Sequence, residues 1–244
     1  GLVHNKFYHR ELNKNYKLGI GKFDETWVKS PTLWSIAEKN NIKTAIYFWP
    51  ESEINTKQYK PTYSFPYKHN TPNSDRFNQI VDWLKLPIEQ RPELVLGYFS
   101  TIDSAGHTHG THSKELNTSI QTFDKLLGNF IERLNDEVSD KVNLIIVSDH
   151  GMVDISEETM PYFYLFDEVE TFQVVNGQTQ LYVYLKDKTN ENEALTAIKK
   201  NMKQQDTIKI NVYKYSEYPK EWNFSTRSSE MPDLILEAIP PYTF

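Results

Sequence analysis

Residues 94–107 read LVLGYFSTIDSAGH, and residues 142–152 read VNLIIVSDHGM. Each stretch is a short apolar run of the length of a buried strand, followed within a few residues by an acid and then a histidine. Residues 113–134, between the two stretches, carry apolar side chains at spacings of three and four, which predicts an amphipathic helix with Ser113 as its N-cap. The order strand, helix, strand favours parallel pairing through a right-handed crossover. The two stretches therefore predict an α/β fold.

The flanking sequence repeats this alternation and then changes character after residue 152. The predicted helices cover residues 31–41, with Ser30 as N-cap, 76–86 and 190–202. The other predicted strands cover residues 44–49, 179–186, 208–213 and 233–239, and residues 51–73 are predicted to form a long loop. We therefore expect a mostly parallel sheet sandwiched by helices. Residues 1–152 and 231–244 are expected to form its core, and residues 153–230 a small α+β insert or lid.

Composition excludes several classes of protein. The chain has 244 residues and a net charge of −6, with no dense cluster of basic residues, so a role in coating nucleic acid is disfavoured. No window approaches the 18 or more consecutive apolar residues of a membrane span. Cysteine is absent, so any metal must be held by histidines and carboxylates.

Two acid–histidine couples follow predicted strands and are the candidate chemical groups. Asp103 and His107 are four residues apart on a segment with small residues, predicted to be a turn, and Asp149 and His150 are adjacent. Because the carboxyl ends of parallel strands meet at one sheet edge, the couples are expected to lie side by side. Such ligands suit Zn²⁺, with Mn²⁺ as the harder alternative. Taken singly, the spacing of Asp103 and His107 is more typical of a solvated loop than of a ligand pair, and Asp149 and His150 could form a turn with the histidine as a cap. His4, His9 and His69 are assigned to the surface.

These motifs resemble the type I phosphodiesterase/nucleotide pyrophosphatase family of the alkaline phosphatase superfamily. The resemblance is carried by both couples with their strands, and by further segments: GLVHN at 1–5, FWP at 48–50, DWLKLP at 82–87 and RP at 91–92. It implies an alkaline phosphatase-like fold and a site with two Zn²⁺ ions. In that site Asp103 and His107 would hold one ion, and Asp149 and His150 the other.

The resemblance also implies roles for three further residues. Asn5 matches an amide that donates a hydrogen bond to a substrate phosphoryl oxygen, where it would stabilise developing charge. Tyr67 falls where nucleotide-hydrolysing members place a ring against the base, although an ordinary loop aromatic is the alternative interpretation. Lys22 is a weaker candidate for substrate binding, and a solvated surface lysine is its alternative.

The family's nucleophile, a Thr or sometimes Ser, would lie before residue 1. One further metal-binding His would lie after residue 244. The chain is therefore expected to be a fragment that is inactive alone. The favoured hypothesis is a two-zinc hydrolase of small nucleotide or other phosphodiester substrates. The alternatives are a phosphomonoesterase, phosphonate hydrolase or metal-dependent mutase of the same superfamily, or an inactive binding module. The resemblance further implies a periplasmic, secreted or membrane-anchored extracellular location.

Overall fold

The computed structural model describes residues 4–19, 25–28, 30–53, 60–138, 140–166, 172–186, 191–203, 209–224, 228 and 230–244. Its regular elements in chain order are β1 Lys6–His9, β2 Lys14–Lys17, α1 Leu33–Lys39, β3 Thr44–Tyr47, β4 Tyr63–Phe65, α2 Asn73–Leu84, β5 Leu94–Gly97, α3 Thr101–His109, α4 Lys114–Glu137, β6 Phe172–Asn176, β7 Gln180–Leu185, α5 Glu191–Met202, β8 Ile210–Lys214 and β9 Leu234–Ala238. The chain divides into two compact units, Gly21–Val153 and Gly1–Ile20 with Asp154–Phe244.

A parallel sheet is the centre of the unit Gly21–Val153. The strand order is β4-β3-β5, and β3 is parallel to both neighbours, with Ala45 opposite Tyr63 and Thr44 opposite Leu94. All four residues of β3 are buried, as expected for a central strand covered on both faces. The predicted α/β class with a parallel sheet is thus confirmed. The predicted loop 51–73 is wrong in one respect, because it contains β4.

Helices α2 and α4 cover this sheet through an aromatic core. Phe77 of α2 contacts Phe130 of α4 with ring centroids 4.8 Å apart. The buried members of this core are Ala45, Tyr47, Phe48, Phe77, Ile80, Val81, Trp83, Phe130, Leu134 and Val138. Helix α4 begins as predicted, since the Ser113 hydroxyl accepts a hydrogen bond from the Leu116 backbone N–H at 3.0 Å. The cap of α1 is Thr32 rather than the predicted Ser30.

The apolar run 142–147 was predicted to be a strand, and that prediction is wrong. These residues form no regular strand, and Ile145 and Val147 are 82% and 72% exposed. An extended segment needs a neighbouring strand to accept and donate its backbone hydrogen bonds. Within the part of the chain that the structure describes, no strand pairs with 142–147, so its apolar composition alone does not bring it into the sheet.

The second unit, Gly1–Ile20 with Asp154–Phe244, is built on an antiparallel sheet of order β6-β7-β9-β8. Strand β9 lies between β7 and β8, with Leu181 opposite Leu236 and Val212 opposite Leu236. Strand β9 shares one buried core with β7, with β8 and with Ile198 of α5. The grouping of residues 231–244 with residues 1–152 stays a prediction.

The hairpin β1–β2 completes the second unit. Phe7 stacks on Tyr16 with ring centroids 4.8 Å apart, and both side chains are 1% exposed. The Tyr8 backbone N–H donates a hydrogen bond to the Tyr184 hydroxyl at 3.3 Å, which fastens the hairpin to β7. Among the described helices of both units, none combines the length and apolar character that crossing a bilayer requires.

Candidate metal centre

Helix α3 positions the first acid–histidine couple. Asp103 and His107 were predicted to lie on a turn, but they lie on a helix, where residues four apart share one face. His107 Nε2 is 3.3 Å from Asp103 Oδ1. The helical spacing therefore brings the two groups together as the turn was expected to do, by a different local structure.

The inner oxygen of Asp103 fits a bound cation. Asp103 Oδ1 is buried, and within the described residues it has no hydrogen-bond partner, even though the imidazole nitrogen of His107 lies near it. Burying a carboxylate oxygen without a donor is costly, so such atoms are normally paired or bound to metal. A divalent cation bound by this oxygen and His107 Nε2 would offset that cost.

The second couple lies after residue 147 on a segment without regular secondary structure, with a bend at Asp149. His150 Nε2 is 3.4 Å from Asp149 Oδ2, and the two side chains are 57% and 78% exposed. His150 Nδ1 is 2.7 Å from the Gly151 carbonyl oxygen, which only accepts hydrogen bonds, so Nδ1 carries the proton. This bond places a proton on Nδ1, so Nε2 is the ring nitrogen available to a metal ion, as in metal-binding histidines.

Two observations indicate that the two couples lie in the same region of this unit. First, a Cβ atom added to Gly106 of α3 would be 2.2 Å from the Met152 sulfur, so the segment that carries Asp149 lies against the helix that carries Asp103. Second, the pKa of Tyr98 is raised by burial first, and then by the charges of Tyr67, Asp103 and Asp149. Both carboxylates therefore act on one phenol at the end of β5.

The spacing of the couples suits two ions rather than one. Within the part of the chain that the structure describes, the four groups do not form a set of three ligand atoms that all lie within 4.8 Å of one another. Each couple would therefore offer two ligands to an ion of its own. The donor set of two carboxylates and two imidazoles, with no thiolate, fits Zn²⁺ or Mn²⁺.

Tyr67 lies beside this region, within the same unit. Its ring contacts Phe48 at 5.3 Å and Tyr98 at 6.4 Å between centroids. Its backbone N–H donates to Glu53 Oε1 at 2.7 Å, and its hydroxyl is 3.1 Å from His69 Nδ1. The side chain is 37% exposed, so part of the ring faces solvent. Tyr67 is thus held from several sides while one surface stays accessible.

The structure does not describe the other two candidate residues together with the couples. Asn5 is exposed at the start of β1, in the other compact unit, and its carbonyl accepts a hydrogen bond from the Leu18 backbone N–H at 2.8 Å. Lys22 lies outside the described residues. The assignments of both residues stay predictions.

The surface assignment of His9 is wrong. His9 is 2% exposed, and its Nε2 is 3.0 Å from Oε1 of Glu230, which is also buried. His9, Glu11 and Glu230 each offer one atom that could bind a metal ion, and these three atoms lie within 4.8 Å of one another. Among the described residues, this is the group of three such side chains that lie this close together. Sequence analysis missed this contact because 221 residues separate its two buried partners. The alternation of β1, which buries Phe7 and His9 on one face, was the available signal.

The chain is similar in sequence to proteins of one family. A sequence profile of the family described as type I phosphodiesterase/nucleotide pyrophosphatase matches residues 1–244. An uncharacterized pyrophosphatase/phosphodiesterase of Schizosaccharomyces pombe is 35% identical over 164 residues, which cover 66% of this chain and 34% of that protein. Mouse ectonucleotide pyrophosphatase/phosphodiesterase family member 1 is 34% identical over 181 residues, 72% of this chain and 20% of its own length.

The solved structure of murine ectonucleotide pyrophosphatase/phosphodiesterase 5 superposes with a TM-score of 0.83 at 22% identity, covering all of this chain and 64% of that one. This match confirms the predicted alkaline phosphatase-like fold. The profile match over the whole chain shows the family: the chain belongs to the type I phosphodiesterase/nucleotide pyrophosphatase family. It spans about a third or less of the length of the curated relatives described above.

Proposed function

We propose that the whole protein hydrolyses phosphodiester or pyrophosphate bonds in small nucleotide-like substrates, at a site where two divalent cations are held by the two acid–histidine couples. The observation that carries the proposal is the buried oxygen of Asp103, which lacks a hydrogen bond within the described residues and faces His107 beside the segment of Asp149. Family membership supports the same chemistry.

The couples would hold zinc in the favoured version of the proposal, and manganese in the alternative. When bound, such a pair of ions neutralises charge on a phosphoryl group and lowers the pKa of a coordinated nucleophile. The residues of this chain supply the rest. Asp103 and Asp149 provide the negative charge that retains the ions, and His107 and His150 provide neutral nitrogen ligands. The Gly151 carbonyl holds the ring of His150 in the tautomer that binding requires.

Tyr67 is proposed to present its exposed ring surface to an aromatic base of the substrate. Stacking between an aromatic side chain and a base is worth about 1–3 kcal/mol and tolerates different bases. The resemblance adds two parts to this proposal that the structure does not describe together with the couples. These are a threonine nucleophile outside this sequence and the amide of Asn5 as a donor to a phosphoryl oxygen. An extracellular or periplasmic location is part of the same proposal, since one relative is named an ectonucleotide enzyme.

The experiment compares hydrolysis of bis(p-nitrophenyl) phosphate and p-nitrophenyl phosphate by the whole protein and by Asp103→Asn and Asp149→Asn. We expect the diester to be the better substrate, and we expect each variant to lose about a hundredfold or more in kcat/KM because a ligand of one ion is weakened. The matched control is Asp136→Asn, an exposed carboxylate near the far end of α4. Asp103→Asn or Asp149→Asn with wild-type turnover would contradict the proposal.

Metal content provides a second measurement. The whole protein should contain about two zinc or manganese ions, and removal by a chelator should abolish hydrolysis until one of these metals is restored. His9→Gln separates these ions from any bound by His9, Glu11 and Glu230, because it leaves the two couples intact. If Asp149→Asn kept the wild-type metal content and His9→Gln lost metal, the ions would be bound by His9, Glu11 and Glu230, and the proposal would be contradicted.

A further inference from the structure

Arg76 is a fully buried cation close to the candidate metal centre. It lies in the first turns of α2, and it is 2% exposed. Its guanidinium donates to three backbone carbonyls: Nε and Nη2 to Thr71 at 3.2 and 3.0 Å, Nη2 to His69 at 3.3 Å, and Nη1 to Tyr98 at 2.8 Å. A planar guanidinium with several fixed donors is suited to join separate backbone segments in this way.

The charge of Arg76 is balanced without a carboxylate. Among the described residues no Asp or Glu forms an ion pair with it, and its carbon Cζ lies over the rings of Phe48 and Phe99 at 5.1 and 5.8 Å. Burial lowers the pKa of the guanidinium, and the nearby tyrosines oppose that effect. Because a buried charge usually contributes less to stability than an apolar side chain of similar volume, this arginine is better explained by the positions it fixes.

The three carbonyls lie on two segments that carry proposed functional residues. His69 and Thr71 belong to the stretch that begins with Tyr67. Tyr98 lies at the end of β5, just before the helix that carries Asp103. The ring of Phe48, which Arg76 contacts, also packs edge-on against Tyr67 at 5.3 Å. Arg76 therefore connects the Tyr67 stretch both to the end of β5 and to the aromatic support of Tyr67.

We propose that Arg76 is a positioning residue for substrate selection: it holds residues 67–71 against the end of β5, so that the Tyr67 ring lies at a fixed place relative to Asp103 and His107. The proposal rests on the proposed function, since it concerns how that site would favour esters that carry an aromatic base. Lysine cannot replace arginine here, because a single ammonium group lacks the fork that reaches carbonyls on both segments.

The activity test uses two esters with the same leaving group, p-nitrophenyl thymidine 5′-monophosphate and methyl p-nitrophenyl phosphate. We expect Arg76→Lys to reduce kcat/KM for the nucleoside ester about tenfold more than for the methyl ester, mainly through KM, as expected for loss of one stacking contact. Arg91→Lys is the matched control. Arg91 also donates to a backbone carbonyl, that of Leu86, at 2.9 Å, and it lies on the loop before β5.

A double-mutant cycle shows whether Arg76 acts through Tyr67. In a Tyr67→Ala background, Arg76→Lys should no longer change the ratio of kcat/KM for the nucleoside ester to kcat/KM for the methyl ester. The reason is that the ring that Arg76 positions has been removed. The proposal would be overturned if Arg76→Lys reduced kcat/KM equally for both esters. It would also be overturned if Arg76→Lys lowered the ratio of the two kcat/KM values further in the Tyr67→Ala background. Glu53→Gln weakens the hydrogen bond to the Tyr67 N–H without altering a buried charge, and it should shift the ratio in the same direction.

Hydrogen exchange provides a readout that does not depend on activity. Arg76→Lys should speed amide exchange in residues 67–71 while exchange in α4 stays as in the wild type, because only the stretch held by the guanidinium is released. Unchanged exchange in 67–71 would refute the positioning role. If the wild-type protein hydrolyses neither ester, the proposed function fails, and the exchange experiment still decides whether Arg76 holds this stretch.

Discussion

Replacing Gly106 by alanine should separate the two acid–histidine couples. The new methyl group would be 2.2 Å from the Met152 sulfur and 3.0 Å from its terminal carbon. Because non-bonded heavy atoms rest at about 3.5–4.0 Å, the thioether end of Met152 must withdraw by about 1.5 Å. The flexible Met152 side chain takes up part of this movement, and the rest is expected to shift the nearby Asp149 and His150 away from α3.

The expected consequence is a loss of metal affinity and of hydrolysis. Loss of a group that orients metal ligands typically costs about tenfold to a hundredfold in affinity, and a misplacement of about 1 Å costs about a hundredfold in rate. The assay is a zinc competition titration with a chromogenic chelator, together with kcat/KM for bis(p-nitrophenyl) phosphate. We expect the losses caused by Gly106→Ala to reach at most these factors, because the end of the Met152 side chain takes up part of the displacement.

Two further variants isolate the cause. Gly128 lies in α4, where an added Cβ meets no atom within 4 Å, so Gly128→Ala should raise the free energy of unfolding by about 0.5–1 kcal/mol and leave zinc affinity unchanged. Adding Met152→Ala to Gly106→Ala removes the clash and should restore most of the affinity. Wild-type affinity in Gly106→Ala, or no recovery in the double variant, would refute the proposed contact between helix and segment.

Two other predictions concern stability. The Glu38 carboxylate is partly buried, which raises its pKa, but hydrogen bonds from the N–H and hydroxyl groups of Thr44 and Thr62 outweigh this and leave the pKa below 4.5. The ionised Glu38 carboxylate therefore stabilises the fold fully above pH 4.5, and this stabilisation is lost as the pH falls. The difference in the free energy of unfolding between wild type and Glu38→Gln, measured in urea, should shrink from pH 7 to pH 3. A constant difference would contradict this assignment. Ile198 is 0% exposed in the core of the antiparallel sheet, so Ile198→Ala should cost about 2–5 kcal/mol, whereas Ile88→Ala, at a residue 75% exposed, should change stability by less than about 0.5 kcal/mol; equal losses in the two variants would argue against that core.

Most of the fold could be predicted from the sequence because local patterns decide most of its elements. The stripe of α4 and its Ser113 cap, and the apolar runs of β3 and β5, are each encoded within a few neighbouring residues. Strand β4 escaped prediction because it is three residues long within a segment rich in tyrosine and proline. The apolar composition of β3 is informative because it is buried, whereas the similar run at 142–147 is exposed.

The candidate site shows the same division between local and long-range information. The spacing of Asp103 and His107 was visible in the sequence, but the helix that carries them was not, because its glycine suggested a turn. Gly106 is explained by a tertiary contact with Met152, 46 residues away, which no local pattern reveals. Arg76 was missed for a related reason: its carbonyl partners carry no side-chain signature, so its role emerges only from the fold.

Anomalous diffraction at the zinc edge from crystals of the whole protein tests the central claim most directly. We expect two peaks about 4 Å apart, one bound by Asp103 and His107 and the other by Asp149 and His150. Peaks found only at His9, Glu11 and Glu230, or couples whose carboxylates and rings point away from the density, would contradict it.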